Sequence, residues 1–441
     1  MAIKFVDRKS ELKKLEEYFK SDNIALIYGR RRIGKTRLAM EFLKNKKGLY
    51  LSAIDRGVGY NLAKFSKELS EKFSTPGLRF ESFIEMFKFL NHQDIDFIAL
   101  DEFGYLISAL PEFQEIADFH LKKKLILTGS TVSLIESRLM NYKNPLYGRI
   151  NLYMKVGQLS FESLKEWFSK ADTESLIKIY SLAGGIPKYL EFFHGDAIEN
   201  EAKKTIFEGT HFLFRDAKFL LEEELRDPSR YYLILEALAK GKDTINEISG
   251  YTKIEAKDIP FYLKTLENLH LIKSESPLLF KKGKKYLLGD NYFRFWFTFI
   301  SPYEDELERD FKENALSEFK ANFNTYLERI FEDICREYVL KNQKITPFTR
   351  TKTGRWWHKD REIDIVALND DQKKIAFFEC KWKDLTEKQA RCLLKALEEK
   401  SKFFDWNTGG RTEYFGIFAK KIENKAALNK EGFLVFDLRD F

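Results

Sequence analysis

The sequence predicts an α/β fold in which the first half of the chain forms a parallel sheet wrapped in helices. Apolar runs of strand length alternate with stretches of helical spacing, which is the pattern of such a sheet. These runs cover residues 24–28, 48–52, 95–100, 124–128 and 150–154. Directly after the first run, residues 29–36 read Gly-Arg-Arg-Arg-Ile-Gly-Lys-Thr, an unbroken G-x-x-x-x-G-K-S/T phosphate-binding loop. Strand, loop and helix therefore follow one another in the order that this loop requires.

The loop predicts a binding site for the phosphates of ATP together with Mg²⁺. Glycines let backbone N–H groups curl round an oxyanion, and the start of the following helix adds a partial positive charge. In such a loop the ammonium group of Lys35 reaches the β- and γ-phosphates, and the hydroxyl of Thr36 is a magnesium ligand. The expected cofactor contacts come from Gly29, Arg30, Arg31, Arg32, Ile33, Gly34, Lys35, Thr36 and Arg37.

An acidic pair, Asp101 and Glu102, closes the third apolar run. A magnesium-dependent hydrolase of nucleoside triphosphates needs a carboxylate at the end of a strand beside the loop. We expect Asp101 to hold the metal and Glu102 to orient and deprotonate the attacking water. The alternative is a strand that happens to end in acidic residues, but its place after a phosphate-binding loop favours the catalytic interpretation.

Two further polar positions leave alternatives open. The fourth apolar run ends in Thr128, Gly129 and Ser130, where a polar side chain either senses the γ-phosphate or caps the following helix. Arg149 precedes the fifth run and is either a finger that contacts a phosphate, in this subunit or the next, or half of a surface ion pair. In each pair, the first alternative is a functional role. It would make Ser130 a cofactor contact and Arg149 a catalytic residue.

Length and composition limit the classes of protein to which the chain can belong. With 441 residues, the chain predicts about three domains of ~150 residues each. The net charge of +7 is a mild basic excess that permits nucleic-acid binding without requiring it. The three cysteines form no C-x-x-C pair, so neither a disulfide framework nor a zinc site is expected. Because there is no signal-peptide pattern and no apolar run of ~18–20 residues, we expect a cytoplasmic protein without a membrane partner.

The middle of the chain predicts helices followed by a small basic hairpin. After about residue 157 the strand signal fades and amphipathic helices take over. Three compact helices follow, near residues 231–239, near 245–248 where Gly250 is expected to end the helix, and from Pro260 onward. Two short strand candidates then flank Lys281–Lys285. This order predicts a winged helix-turn-helix.

Contact between this segment and DNA stays open on the sequence. Hairpin lysines would lie against phosphates. These are Lys281, Lys282, Lys284 and Lys285. The helix that would read the groove is far from basic. Its neighbourhood carries Glu255, Asp258 and Glu267.

The carboxy-terminal part predicts a second α/β domain with a carboxylate cluster. Residues 362–368 and 374–382 are β-rich and flank a polar turn, which predicts a hairpin. If the hairpin is centred on that turn, Asp364 lies opposite Glu379, and Lys381 points the same way as Glu379. Two carboxylates and a lysine then converge, which can hold one or two magnesium ions and orient a water.

An upstream amphipathic helix, residues 322–340, supplies a further carboxylate. Glu328 and Glu332 share one edge of this helix, and either could complete the metal site.

The first 300 residues resemble the prokaryotic, especially archaeal, ATPases of the AAA+/STAND group. The motifs that carry this resemblance are Phe5–Leu12, Gly29–Thr36, Asp101-Glu102, Leu127–Ser130, Tyr147–Arg149 and Gly184–Leu190. The resemblance implies a nucleotide-binding ATPase in which the last motif lies on a helical lid packed over the nucleotide.

Residues 322–441 resemble the restriction-endonuclease-like family, whose signature is D followed by E-x-K on adjacent strands. The resemblance implies that Asp364, Glu379 and Lys381 are the catalytic trio and that Glu332 is the helix carboxylate, with Asp364 and Glu379 holding the metal. The segment Gly354–Trp357 also recurs in nuclease-like modules fused to this type of ATPase.

These features predict five segments and two functional alternatives. The segments are a phosphate-loop ATPase core at 1–156, a helical lid at 157–226, a winged helix at 227–300, a linker at 301–321 and a restriction-endonuclease-like domain at 322–441. The leading prediction is an ATP-hydrolysing, ATP-regulated and Mg²⁺-dependent nuclease or DNA-processing protein, with DNA as partner and a homo-oligomer if Arg149 acts in trans. The alternative is an ATP-dependent signalling switch that binds DNA or protein without cleavage.

Overall fold

The chain folds into two compact units. The computed structural model describes residues 5–130, 135, 139, 144–195, 197–280 and 282–441. The first unit holds the described residues up to Trp167 together with Gly185–Glu191. The second unit holds Phe168–Gly184 and the described residues from Phe192 to Phe441. The five segments expected from the sequence are a finer division, and they stay a prediction.

The first unit is built on a parallel sheet. Its strands are β1 (Ile24–Tyr28), β2 (Gly48–Ser52), β3 (Phe97–Asp101), β4 (Lys124–Gly129) and β5 (Leu152–Lys155). They lie in the order β2-β3-β4-β1-β5, and every neighbouring pair is parallel. The predicted parallel α/β sheet is therefore confirmed, with each strand close to the apolar run that predicted it.

Both faces of this sheet are covered, which is why its strands read as continuous apolar runs. Successive side chains of β1 enter opposite cores, because side chains alternate along a strand. Leu26 packs on one face with Leu100, and Ile27 packs on the other with Ile126. Helices supply the covering layers. In the first unit they are α1 (Lys9–Tyr18), α2 (Lys35–Leu43), α3 (Val58–Lys72), α4 (Phe83–Asn91), α5 (Leu110–Glu115) and α6 (Phe161–Trp167).

The first unit also contains shorter helical pieces. They are a 3₁₀ segment at Phe103–Ala109, a π segment at Ile116–His120 and a single turn at Pro187–Leu190.

Helices dominate the start of the second unit. They are α7 (Thr173–Ala183), α8 (Ile198–Lys204), α9 (Phe212–Glu224), α10 (Ser229–Ala239), α11 (Ile245–Thr252), α12 (Ile259–Asn268), α13 (Asn291–Phe295) and α14 (Glu304–Glu308). An antiparallel pair, β6 (Ile272–Glu275) and β7 (Lys285–Leu288), follows α12. The three helices and two strands expected over this stretch are thus present in order, and the winged-helix assignment itself stays a prediction.

One helix end in this stretch was predicted wrongly. Helix α11 continues through Gly250 to Thr252, whose buried hydroxyl donates to the carbonyl of Ile248 at 2.8 Å. Lys253, with φ of 60°, takes the left-handed conformation that ends the helix. Lys281 of the predicted hairpin lies outside the described residues.

The aromatic segment after β7 is part of the core of the second unit. It comprises α13, a π segment at Trp296–Ile300 and a 3₁₀ turn at Ser301–Tyr303. The Tyr292 hydroxyl donates to the carbonyl of Leu213 at 2.6 Å, and the Trp296 indole donates to that of Phe214 at 2.7 Å. Both rings are fully buried, and their polar atoms are satisfied by α9.

Helix α15 (Glu313–Lys341) begins nine residues earlier than the predicted residue 322. Ala315, Phe319 and Phe323 are buried at helical spacing, so an apolar stripe continues through the charge-rich stretch. The predicted boundary between the linker and the last domain therefore falls inside a continuous helix. None of the helices in the described ranges has both the length and the apolar character needed to cross a bilayer.

The chain ends in a mixed sheet, preceded by a 3₁₀ turn at Gln343–Ile345. Its elements are β8 (Lys352–His358), β9 (Arg361–Asn369), β10 (Lys374–Leu385), α16 (Glu387–Ser401), β11 (Thr412–Ile422), α17 (Lys425–Lys430) and β12 (Leu434–Phe436). The strand order is β12-β11-β10-β9-β8, with β8, β9 and β10 antiparallel and β10, β11 and β12 parallel. Phe378 pairs with Ile365, which confirms the predicted register of the β9–β10 hairpin.

At Gly185, the Gly185–Glu191 segment lies very close to the backbone of Leu159. The Leu159 N–H donates to the Gly185 carbonyl at 2.8 Å, and a Cβ added at Gly185 would overlap the Leu159 backbone. Backbone atoms cannot yield as a flexible side chain does. We predict that Gly185→Ala lowers the free energy of unfolding by about 1–3 kcal/mol, measured by thermal or denaturant unfolding.

The matched control is Gly59→Ala in α3, where an added Cβ meets no atom within 4 Å. Its stability should be nearly unchanged. Equal stability of the two variants would contradict the close approach at Gly185.

Candidate functional site

The phosphate loop lies where the sequence predicts it. Strand β1 ends at Tyr28, and α2 begins at Lys35. Gly34 takes φ of 92°, a left-handed conformation that a side chain would strain, and it turns the chain into the helix. The first N–H groups of α2 have no partner within the helix, so this end can bind an anion.

Thr36 and Asp101 are in direct contact. The Thr36 hydroxyl donates to Asp101 Oδ2 at 2.7 Å, and the Lys35 ammonium donates to the Arg30 carbonyl at 3.0 Å. Lys35 is buried, with 5% of its surface exposed. The predicted phosphate lysine and the two predicted magnesium ligands are thus gathered at one end of the sheet.

The Asp101 carboxylate accepts two further hydroxyl hydrogens that sequence analysis did not assign. One comes from Tyr50, at 2.5 Å, and the other from Thr128. Tyr50 lies in β2, the strand paired with β3, two residues before the partner of Asp101. Burial and the Asp101 carboxylate raise the pKa of the Tyr50 hydroxyl, so it stays a donor. A polar residue in an otherwise apolar strand was the available signal.

Ser130 lies beside the predicted water-activating group. Its hydroxyl donates to Glu102 Oε2 at 2.6 Å. Glu102 has φ of 52°, a conformation that costs a non-glycine residue energy and often marks functional positions. Most of the helix that Ser130 was alternatively expected to cap lies outside the described residues. Sensing of the γ-phosphate by Ser130 stays a prediction.

For Arg149 the structure favours the second of the two alternatives, the surface ion pair. Its Nε and Nη2 donate to the two carboxylate oxygens of Asp118 at 2.6 and 2.7 Å. The bond to Arg149 holds the pKa of Asp118 below its ordinary value. A finger role would require Arg149 to leave this partner.

The remaining loop residues anchor the loop to its surroundings. Arg31 donates to the Tyr105 hydroxyl at 3.2 Å, and buried Arg30 lies 3.4 Å from the Tyr189 hydroxyl in the Gly185–Glu191 segment. Gly29 and Ile33 are buried, whereas Arg32 and Arg37 are half-buried. Sequence analysis missed the contribution of Arg8, whose guanidinium donates to the carbonyls of Gly157 at 2.6 Å and Ile33 at 3.4 Å.

A second cluster lies in the second unit, where Glu332, Glu362 and Asp364 each offer one oxygen within 4.8 Å of the others. Glu332 comes from α15, as predicted, and Asp364 from β9. Glu362 was missed as a ligand, although alternation along β9 places it on the same face as Asp364. Three carboxylate oxygens at this spacing suit Mg²⁺ or Mn²⁺, which prefer oxygen ligands.

Glu379 lies outside this group of three carboxylates. Its two oxygens contact Lys381 at 2.8 Å and Lys400 of α16 at 3.0 Å. The structure thus places Glu362, rather than Glu379, in the group of three carboxylates. Lys381 does share the face of Glu379, and the Cys380 N–H between them donates to Asp364 Oδ2 at 2.7 Å. A metal-binding role for Glu379 stays a prediction.

Burial and like charges control the protonation of the acidic cluster. Burial, with Glu332 and Glu379 nearby, raises the pKa of Asp364 to about 7. Burial also raises the pKa of Glu332, against the pull of Arg329 and Arg355. Asp364 therefore titrates near neutral pH, where a divalent cation competes directly with its proton.

Two of the described hairpin lysines have protein partners. Lys285 contacts Asp243 at 2.9 Å, and Lys284 lies 4.0 Å from Glu267. Lys282 is exposed. DNA contact through this hairpin stays open.

The fold and the phosphate loop define the first unit as a P-loop domain, and comparison with known proteins agrees. Residues 5–193 match the family described as "ATPase domain predominantly from Archaea". Residues 296–393 match the family described as "Archaea bacterial proteins of unknown function". The chain is 38% identical over 455 aligned positions to "Uncharacterized protein MJECL04" of Methanocaldococcus jannaschii, covering 99% of this chain and 100% of that protein. The chain therefore belongs to the family of that archaeal protein. In this chain, the match to the ATPase family precedes the match to the second family.

Two solved structures are also similar. One is the Walker-type ATPase PABY2304 of Pyrococcus abyssi, with 24% identity, a TM-score of 0.48 and coverage of 66% of this chain and 96% of that chain. The other is the ORC2 protein of Aeropyrum pernix in ADPNP–ADP complexes, with 14% identity, a TM-score of 0.43 and coverage of 71% and 95%.

The raised pKa of Asp364 predicts pH-dependent cation binding in the second unit. A protonated carboxyl must lose its proton before it can hold a cation, so below pH 7 the affinity for Mn²⁺ should fall by roughly tenfold per pH unit. Above that pH the affinity should level off. Calorimetric titration of Mn²⁺ without nucleotide, between pH 5.5 and 8.5, measures this dependence.

Asp364→Asn is the control, because it should lose both the affinity and its pH dependence. A wild-type affinity that is constant across this range would contradict the assignment.

Proposed function

We propose that the first unit binds and hydrolyses ATP with Mg²⁺. The contact between the Thr36 hydroxyl and Asp101, beside the buried Lys35, is the observation that supports this most directly. The membership of residues 5–193 in an ATPase family agrees with it.

Each residue has a distinct role in this proposal. The hydroxyl of Thr36 and the carboxylate of Asp101 would hold Mg²⁺, since both offer the oxygen donors it prefers. The metal would neutralise charge on the phosphates. When ATP binds, the Lys35 ammonium would donate to phosphate oxygens instead of the Arg30 carbonyl. Glu102 would accept a hydrogen bond from the attacking water instead of from the Ser130 hydroxyl. Each exchange replaces a hydrogen bond seen in the structure.

Two substitutions at the loop separate binding from hydrolysis. Lys35→Ala removes the main cationic partner of the β- and γ-phosphates and should abolish measurable ATP affinity. Glu102→Gln changes only the water-activating group, so it should bind ATP and lose turnover by roughly 10²–10⁴-fold. Binding is measured by calorimetry and turnover by phosphate release.

Lys14→Ala, at an exposed position of α1, controls for loss of a lysine and should match wild type. Equal turnover by wild type and Glu102→Gln would refute the role of Glu102.

We further propose that the second unit is a Mg²⁺-dependent nuclease regulated by ATP. The juxtaposition of Glu332, Glu362 and Asp364, with Lys381 nearby, supports this. The carboxylates would hold the metal, which would polarise a phosphodiester and lower the pKa of a bound water. Lys381 would bind the phosphate. The nucleotide in the first unit would regulate cleavage by binding two conformational states of the protein with different affinities.

A specific observation favours a second candidate, a nucleotide-dependent switch that binds DNA or protein and cleaves nothing. Lys381 and Lys400 each contact one oxygen of Glu379, so lysines offset the charge of the E-x-K carboxylate. In this candidate the acidic cluster would order the domain around a cation rather than activate water.

Plasmid cleavage distinguishes the two candidates. For the nuclease, the purified chain should nick supercoiled DNA with Mg²⁺, and Asp364→Ala should remove nicking while ATP binding persists. The rate should also differ between ATP, ADP and no nucleotide.

Asp371→Asn, in the exposed turn of the same hairpin, is the control and should cleave like wild type. Absence of nicking together with retained Mn²⁺ binding would favour the switch. Equal rates in the three nucleotide conditions would disprove regulation by ATP.

A further inference from the structure

The Tyr50 hydroxyl reaches Asp101, the predicted magnesium ligand, from a neighbouring strand. Tyr50 lies in β2, and its register partner in β3 is Ala99, two residues before Asp101. Tyr50 and Ala99 pack in the same core, so the tyrosine ring lies on the face of the sheet that carries α2. Two residues of a strand rise by about 6–7 Å, so only a long side chain can span this offset and still end in a hydroxyl.

Tyr50 and Thr36 donate to the same oxygen of Asp101. The Tyr50 hydroxyl donates to Oδ2 at 2.5 Å, and the Thr36 hydroxyl donates to Oδ2 at 2.7 Å. The other oxygen, Oδ1, accepts from the Thr128 hydroxyl and from the Glu102 N–H, the latter at 3.1 Å. Donors at both oxygens leave the carboxylate plane little freedom to rotate.

The spacing of Thr36 Oγ1 and Asp101 Oδ2 suits a magnesium ion. Adjacent ligands of octahedral Mg²⁺, each about 2.1 Å from the metal, lie about 3 Å apart. The two oxygens are 2.7 Å apart in the structure. A carboxylate oxygen has two lone pairs, so Oδ2 can keep the hydrogen bond from Tyr50 while its other lone pair turns from the Thr36 hydroxyl to a metal. Tyr50 can therefore hold this oxygen in the metal-bound state as well.

We propose that Tyr50 is a positioning residue for Mg²⁺ in the ATP site. By holding Oδ2 beside Oγ1 of Thr36, its hydroxyl prepares two adjacent ligand positions before the ion arrives. Residues that orient the ligands of a metal typically contribute roughly 10–100-fold to its binding. The inference rests on the proposed binding of ATP and Mg²⁺ by the first unit.

The test compares the ATP affinity of the full chain with Mg²⁺ and with EDTA, measured by calorimetry. All proteins carry Glu102→Gln, which slows hydrolysis during the titration. We expect Tyr50→Phe to bind ATP like its parent in EDTA and to lose roughly tenfold of the enhancement that Mg²⁺ gives. The phenylalanine ring keeps the packing of Tyr50 and removes only the hydroxyl.

Tyr153→Phe, in β5 of the same sheet, is the matched control. The Tyr153 hydroxyl is buried and has no hydrogen-bond partner among the described residues, so its removal should leave the Mg²⁺ enhancement unchanged.

Phosphate release by the chain with Glu102 intact gives a second measurement. For Tyr50→Phe, the Mg²⁺ concentration for half-maximal turnover should rise, and excess Mg²⁺ should restore the maximal rate. A merely structural defect would lower the rate at every Mg²⁺ concentration and would overturn the proposal. Circular dichroism establishes that each variant is folded.

Two results would refute the role of Tyr50 and leave the proposed ATPase standing. One is a Mg²⁺ enhancement in Tyr50→Phe that equals or exceeds that of its parent, and the other is an equal loss in Tyr50→Phe and Tyr153→Phe. ATP binding and turnover by the wild-type chain that do not respond to Mg²⁺ would instead refute the proposed magnesium site itself.

Discussion

The arrangement of the first unit depends on the hydrogen bonds that the Asp101 carboxylate accepts. It accepts hydroxyl hydrogens from Thr36 on α2, Tyr50 on β2 and Thr128 on β4. One buried acid therefore joins the helix after the loop to three strands at the carboxyl edge of the sheet. Each hydrogen bond offsets part of the free-energy cost of burying the Asp101 carboxylate. The bond from Thr36 also holds its hydroxyl where a phosphate-bound cation would need it.

The second unit uses a different device, a chain of alternating buried charges. Burial raises the pKa of Asp333, but the cations Lys273, Arg294 and Arg336 outweigh this and hold it well below the ordinary value. Arg355 continues the chain among Glu275, Glu332 and Glu362. These charges connect β6, the aromatic segment, α15 and β8, so losing one member would leave its neighbours uncompensated.

Local sequence patterns predicted the features that depend on neighbours in the chain. The five strands of the parallel sheet, the phosphate loop and the β9–β10 register all follow from periodicity and turn chemistry. Features that depend on distant residues were missed. Tyr50 reaches Asp101 only through strand pairing, Lys400 reaches Glu379 only through the packing of α16, and Arg8 reaches Gly157 from the start of the chain. No spacing rule encodes such contacts.

The two proposed functions differ in how the charge of Glu379 is balanced. Lys381 and Lys400 offset its charge, whereas Asp364 forms no ion pair with the described residues, and its pKa is raised. A cation bound at Glu332, Glu362 and Asp364 would favour their ionised forms and repel the Lys381 ammonium. If that repulsion frees one oxygen of Glu379, the carboxylate can join the metal and Lys381 can turn to a phosphate, which is the arrangement cleavage requires. If the lysine pairs hold, the cation only orders the domain. In these two proposals, the strength of the two lysine contacts would distinguish a nuclease from a switch.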